Sequence, residues 1–148
     1  MSLDINVSLD GVRSPIARAR VAEISQSVLR GEGIKSALVS ITLVMPRAIA
    51  KLNAEHLKHS GPTDVISFGF SRATSADPVV GDIYICPDVA RANARRLGAS
   101  IREELARLVV HGTLHVLGYV HPDGDGREHS DMWRRQERLL KRLLAPRV

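Results

Sequence analysis

Three histidines, His111, His115 and His121, are the residues of this sequence whose types and spacing point most directly to chemistry. Two histidines four apart on a helix project from one face, with Cβ atoms roughly 6 Å apart. That spacing lets two imidazoles share one tetrahedral zinc ion at about 2.0–2.1 Å per bond. Gly118 can take the left-handed conformation that ends such a helix. The chain then turns back within three residues and delivers His121 as a third ligand. Three protein ligands leave a fourth position for water, the arrangement of a catalytic rather than a structural site. Zinc there would bring the pKa of that water towards neutrality and polarise a scissile group.

The pattern H-x-x-x-H-x-x-G-x-x-H is shared with metzincin proteases, in which a glutamate directly after the first histidine acts as general base. Gly112 stands at that position here. The ligand spacing survives and the peptidase base does not, so peptide hydrolysis is the less favoured use of the site.

The elements that must position these residues follow from periodicity and punctuation. Ile5, Val7 and Leu9 alternate with polar residues and predict a first strand ending at Asp10-Gly11. Ser14-Pro15 reads as the start of a helix to about Arg30, closed by Gly31-Glu32-Gly33. Ala37 to Met45 predicts a second strand with Val39, Ile41 and Leu43 on one face, and Pro46 opens a short helix to about Leu57. Val65-Ile66-Ser67-Phe68 and Gly81 to Cys86 predict a third and a fourth strand, antiparallel neighbours across a polar loop. Pro87 to Leu97 is helical, with Gly98 just past its end. Ser100-Ile101-Arg102-Glu103 is a capping box opening the helix that carries His111 and His115, and a basic helix from about Ser130 to Leu144 closes the pattern. The expectation is one α+β domain over 1–148: a small mixed sheet of about four strands with helices packed on it, and the metal site on a helix that ends in glycine.

The bulk properties narrow the partners. A chain of 148 residues with a formal charge of +5 and 44% hydrophobic residues suits a globular protein that binds an anion, of which a nucleic acid is the commonest. Five aromatic residues, Phe68, Phe70, Tyr84, Tyr119 and Trp133, are too few for a broad base-stacking platform. Contacts to the phosphate backbone must then carry most of the affinity. One cysteine, Cys86, excludes an internal disulfide framework. No apolar run approaches the ~18 residues of a membrane span, and no secretory signal pattern is visible, so a cytoplasmic protein is expected.

The string His111-Gly112-Thr113-Leu114-His115-Val116-Leu117-Gly118-Tyr119-Val120-His121 resembles the signature of the YbeY family, H-G-x-L-H-L-x-G-Y-D-H. Leu52-Asn53, then Pro62-Thr63-Asp64-Val65-Ile66-Ser67-Phe68, is similar to that family's L-N … P-T-D-V-L-S-F, and Gly81-Asp82-Ile83 to its G-D-I. Order and spacing fit from about residue 35 to the C-terminal helix. The resemblance implies a metal-dependent, single-strand-specific endoribonuclease of ribosomal RNA maturation and ribosome quality control, with precursor ribosomal RNA and the small ribosomal subunit as partners and no role for DNA. It implies one zinc ion on His111, His115 and His121. It departs at two places: Val120 stands where the family has aspartate, and His56-Leu57 where it has an aromatic-arginine pair.

Further residues gather round this centre. His115 is expected to act in catalysis as well as to bind metal. Asp64 and Asp82 are candidates to orient a ligating imidazole, or else to cap a turn and a strand. Thr63 and Ser67 could donate to a phosphate. Asp123 could replace the carboxylate missing at Val120, and Asp125 or His129 could add a fourth ligand. Arg91, Arg95, Arg96, Arg134, Arg135, Arg138, Lys141 and Arg142 make two helices basic enough to flank an RNA backbone. Besides the endoribonuclease, two other functions fit these residues: a zinc hydrolase of another bond, and an assembly factor that binds RNA without cutting it.

Overall fold

A computed structural model of the chain describes residues 2–122 and 124–146, the side chains of 124 and 125 excepted. Strands β1 (Leu3–Leu9), β2 (Ala37–Leu43), β3 (Val65–Phe70) and β4 (Val79–Ile85) form one sheet in the order β1-β2-β4-β3. The first three strands in that order run parallel, and β3 closes the edge antiparallel to β4. This is the mixed α+β sheet that the patterning predicts. Alternation explains its faces: Ala37, Val39, Ile41 and Leu43 of β2, and Val79, Ile83 and Ile85 of β4, point to one side and are buried.

Helices α1 (Arg18–Gly31) and α4 (Ile101–Val116) pack on that side, while α3 (Pro87–Leu97) and α5 (Asp131–Leu144) pack on α4. Eleven of the sixteen residues of α4 are buried, which makes it the central rod of the molecule. Helix α2 (Pro46–Leu52) runs into a π-turn, Asn53–Leu57, which ends at Lys58 with φ 56°. A smaller core of Val44, Ile49, Ile66 and Cys86 lies beneath α2, so the cysteine packs rather than ligates.

Helix α1 begins three residues after Pro15. The Ser14 hydroxyl donates to the Ile16 carbonyl and accepts from the Ile16 amide, a tight turn that uses up the predicted cap. The capping box of α4 is half made. Ser100 Oγ accepts from the Glu103 amide at 3.0 Å, but the Glu103 carboxylate turns to Arg107 instead of reaching back. No helix is long and apolar enough to cross a membrane among the described residues.

Candidate metal centre

His111 and His115 lie on the last two turns of α4, where Gly112 brings the helix against the sheet. A Cβ at position 112 would stand 2.8 Å from Ile83 Cγ2 and 3.0 Å from Ser67 Oγ, so only glycine permits this approach. Ser67 Oγ donates to the Gly112 carbonyl at 3.1 Å and pins the contact. A glutamate at 112, as a peptidase would need, has no room to extend.

The turn that brings back the third histidine is equally specified. Gly118 has φ 98°, a conformation that strains any residue with a Cβ. The Tyr119 amide donates to the Leu114 carbonyl at 3.1 Å, and the Tyr119 hydroxyl donates to Glu32 at the end of α1. Arg135 of α5 holds the other Glu32 oxygen at 2.8 Å. Burial raises the Glu32 pKa, but the bonds from Tyr119 and Arg135 outweigh it and hold the carboxyl below its ordinary value. The turn is thus tied to two helices.

The three imidazoles converge. One nitrogen from each can be chosen so that all lie within 4.8 Å of one another, and together they form a group that could hold a metal ion. His115 Nε2 and His121 Nε2 are 3.2 Å apart. The opposite nitrogens each donate to an oxygen: His111 Nδ1 to Gln136 Oε1 at 2.6 Å, His115 Nδ1 to the Tyr119 carbonyl at 2.9 Å, and His121 Nδ1 to the Pro122 carbonyl at 3.0 Å. Protons on Nδ1 leave lone pairs on Nε2, so two lone pairs face each other with no proton between them. That is repulsive unless a cation sits there. The nitrogen–nitrogen separation across a tetrahedral zinc with 2.0–2.1 Å bonds is about 3.3 Å. The donor set therefore fits such an ion in chemistry and in spacing.

Electrostatics favour the ligand state. His111 is 4% exposed. Burial, then the neighbouring His115, pull its pKa down to about 3, and burial lowers that of His115 too. Both rings are held neutral, as metal ligation requires.

The histidines open onto a cavity of about 460 Å³, also lined by Leu57, Thr63, Asp64, Ser67, Val120 and Arg127. Thr63 lines the cavity. Asp64 is a wall residue whose oxygens are engaged, Oδ1 accepting the Val65 amide at 2.8 Å and Oδ2 the Asn93 side chain at 3.0 Å. It thus caps β3 and ties it to α3, with no bond to a histidine. Asp82 is not brought to the site. It alternates with the buried Gly81 and Ile83 of β4, so it faces the other side of the sheet, where it accepts from Ser40 at 2.7 Å. His129 is exposed, and among the described residues no fourth ligand joins the group. Asp123 lies outside the described residues.

Sequence reasoning missed Gln136 and Arg127. Gln136 is 1% exposed and supports His111 from α5; its only signal was a polar residue on the apolar side of an amphipathic helix. Arg127 sits in the short 3₁₀ turn Gly124–His129, with Nη2 3.5 Å from His111 Nε2.

The family described as Endoribonuclease YbeY matches residues 8–144. A protein of that name from Frankia casuarinae is 37% identical over 138 residues, covering 86% of this chain and 68% of that one. Another from Bacillus licheniformis is 38% identical over 153 aligned positions, covering 96% of each. A solution structure of a Thermotoga maritima protein superposes with a TM-score of 0.60 at 25% identity, over 94% of this chain and 88% of that one. With its histidine signature folded into a convergent nitrogen triad and the match running nearly end to end, the chain belongs to the YbeY endoribonuclease family.

Proposed function

We propose that this protein cuts single-stranded RNA at phosphodiester bonds, with one zinc ion held by His111, His115 and His121, and that ribosomal RNA precursors on or near the small ribosomal subunit in the cytoplasm are its substrate. The observation that carries the reading is the 3.2 Å approach of two Nε2 lone pairs whose rings each donate Nδ1–H to a carbonyl oxygen. Zinc so held supplies Lewis acidity and a water of near-neutral pKa.

The protein's own groups do the rest. Gln136, the Tyr119 carbonyl and the Pro122 carbonyl fix each ring in the tautomer that presents Nε2. Thr63, on the cavity wall, offers a hydroxyl to a phosphate oxygen; Asp64 positions that wall by anchoring the start of β3 to Asn93. The cavity, about 460 Å³, accommodates a nucleotide. Contacts to the phosphate backbone would carry the binding, in keeping with the few aromatic residues and the charge of +5.

The test offers precursor ribosomal RNA and casein side by side, with and without chelator. RNA should be cut, the chelator should stop it, and casein should survive. His115→Ala should abolish bound zinc and lower cleavage by at least about a thousandfold. Undiminished RNA cleavage by a His115→Ala protein that has lost its zinc would sink the proposal.

A further inference from the structure

Arg127 is placed as no other cation among the described residues is. It lines the histidine cavity and also an adjoining one of about 410 Å³, and it is the one lysine or arginine among the described residues lining the first. Its Nε is buried and has no hydrogen-bond partner, alone among buried side-chain nitrogens and oxygens of the described residues. Its Nη2 reaches only the His111 Nε2 lone pair, at 3.5 Å. Once His111 serves as a ligand, that lone pair is spent and the contact goes.

A guanidinium carries five N–H donors in a planar fork, and burying one without an acceptor is costly. Among the described residues, no acceptor other than His111 Nε2 bonds it. The Asp64 oxygens accept from Val65 and Asn93, and Gln136 Oε1 from His111, rather than from Arg127. Arg107, in the adjoining cavity, shows what a completed arginine looks like here: it pairs with Glu103, Glu104 and Glu137. An acceptor that is anionic, forked and able to sit beside the histidine nitrogens would complete Arg127 from outside. A phosphodiester, with two non-bridging oxygens, meets all three conditions.

We infer that Arg127 is the substrate-binding arginine of the cleft, its guanidinium gripping the phosphate of the RNA strand next to the histidine triad. This rests on the endoribonuclease reading. The assignment gives the cavity a cation for phosphate although Leu57, which also lines it, has no charge to offer.

The experiment measures binding of a short, single-stranded 2′-O-methyl RNA by fluorescence anisotropy across a salt series, with zinc content determined on the same samples. R127A and R127Q should bind about 10- to 100-fold more weakly than the unaltered protein. Their log affinity should fall less steeply with log salt, by about 0.7, the value of one phosphate contact on a single strand. R127K keeps a charge but not the fork; it should retain the slope and lose part of the affinity. Unaltered affinity and slope in R127A overturn the inference. So does a slope for R127K equal to that of R127Q, since a packing role would follow size rather than charge. Failure of the unaltered protein to cut RNA would instead defeat the endoribonuclease reading; cutting by the unaltered protein together with undiminished binding by R127A defeats the Arg127 assignment alone.

Discussion

The two ends of helix α4 bury polar groups in opposite ways. At its N-terminal half, Glu104 is 3% exposed, and Arg107 bridges it to Glu103 and to Glu137 of α5, every charge meeting its opposite within 3.4 Å. At its C-terminal half, His111 and His115 aim Nε2 lone pairs at a common point, where among the described residues those lone pairs meet only each other, His121 and Arg127. One end is a closed ion network, complete without help. The other, on the reading proposed above, would be completed by a cation and an anion. A buried group whose partners all lie within the chain contributes to folding, whereas a buried group still lacking one marks a candidate site.

The largest effect should come from breaking the closed end. Arg107→Ala leaves the Glu104 carboxyl buried without its cation, and breaking such a pair costs about 3–5 kcal/mol. Burial already raises the Glu104 pKa, although Arg107 pulls it down, so protonation gives partial relief and the loss should lie near about 3 kcal/mol. Urea unfolding of the metal-free protein measures it. His115→Ala, tested the same way, should shift stability by no more than about 1 kcal/mol, because it removes one of two repelling lone pairs. Equal losses in the two variants would erase the distinction between the ends.

The ends are nevertheless joined. Glu137, held by Arg107, accepts from Gln136 Nε2 at 3.0 Å, which turns the amide oxygen of Gln136 towards His111 Nδ1. The closed network thus sets the tautomer of a ligand in the open one. Gln136→Leu keeps the volume and removes the acceptor, and outer partners of this kind are worth about 10- to 100-fold in metal affinity. Zinc competition titration should show a loss in that range, with a smaller one for Glu137→Ala. No change in Gln136→Leu would mean that the two ends are independent.

These contrasts mark what the residue order could and could not reveal. The sheet was legible because β2 alternates strictly and its apolar residues face one helix layer. The triad was legible because offsets of four and ten residues, with Gly118 between, are set by local helix and turn geometry alone. Gln136 and Arg127 were not, since each reaches His111 only after α5 and the preceding turn fold back over α4, 25 and 16 residues along the chain. Asp82 looked like a site residue because Gly81-Asp82-Ile83 is a family motif. Strand alternation, which places Ile83 beneath α4, puts Asp82 on the far face. Leu57 stands where the resemblance puts an arginine, so no local pattern marked a phosphate-binding cation.

The most gradual effect concerns pH. Burial, then His115, hold His111 at about 3, whereas the unfolded chain leaves it near about 6.5. Between those values the unfolded state binds the proton and the folded state does not. The folded metal-free protein therefore keeps this contribution in full above about 6.5 and loses it as pH falls towards 3. The slope should approach about 1.4 kcal/mol per pH unit for His111. His115, also lowered by burial, steepens the upper part of the curve. Urea midpoints from pH 7.5 down to 4.5 (roughly the span in which linkage acts) read it directly. His111→Gln should flatten the profile, because it removes the titrating ring at the open end and leaves the Arg107 network intact. A profile equally steep without His111 would place the acid sensitivity in the carboxylates of the closed end, and the contrast between the two halves of α4 would then run the other way.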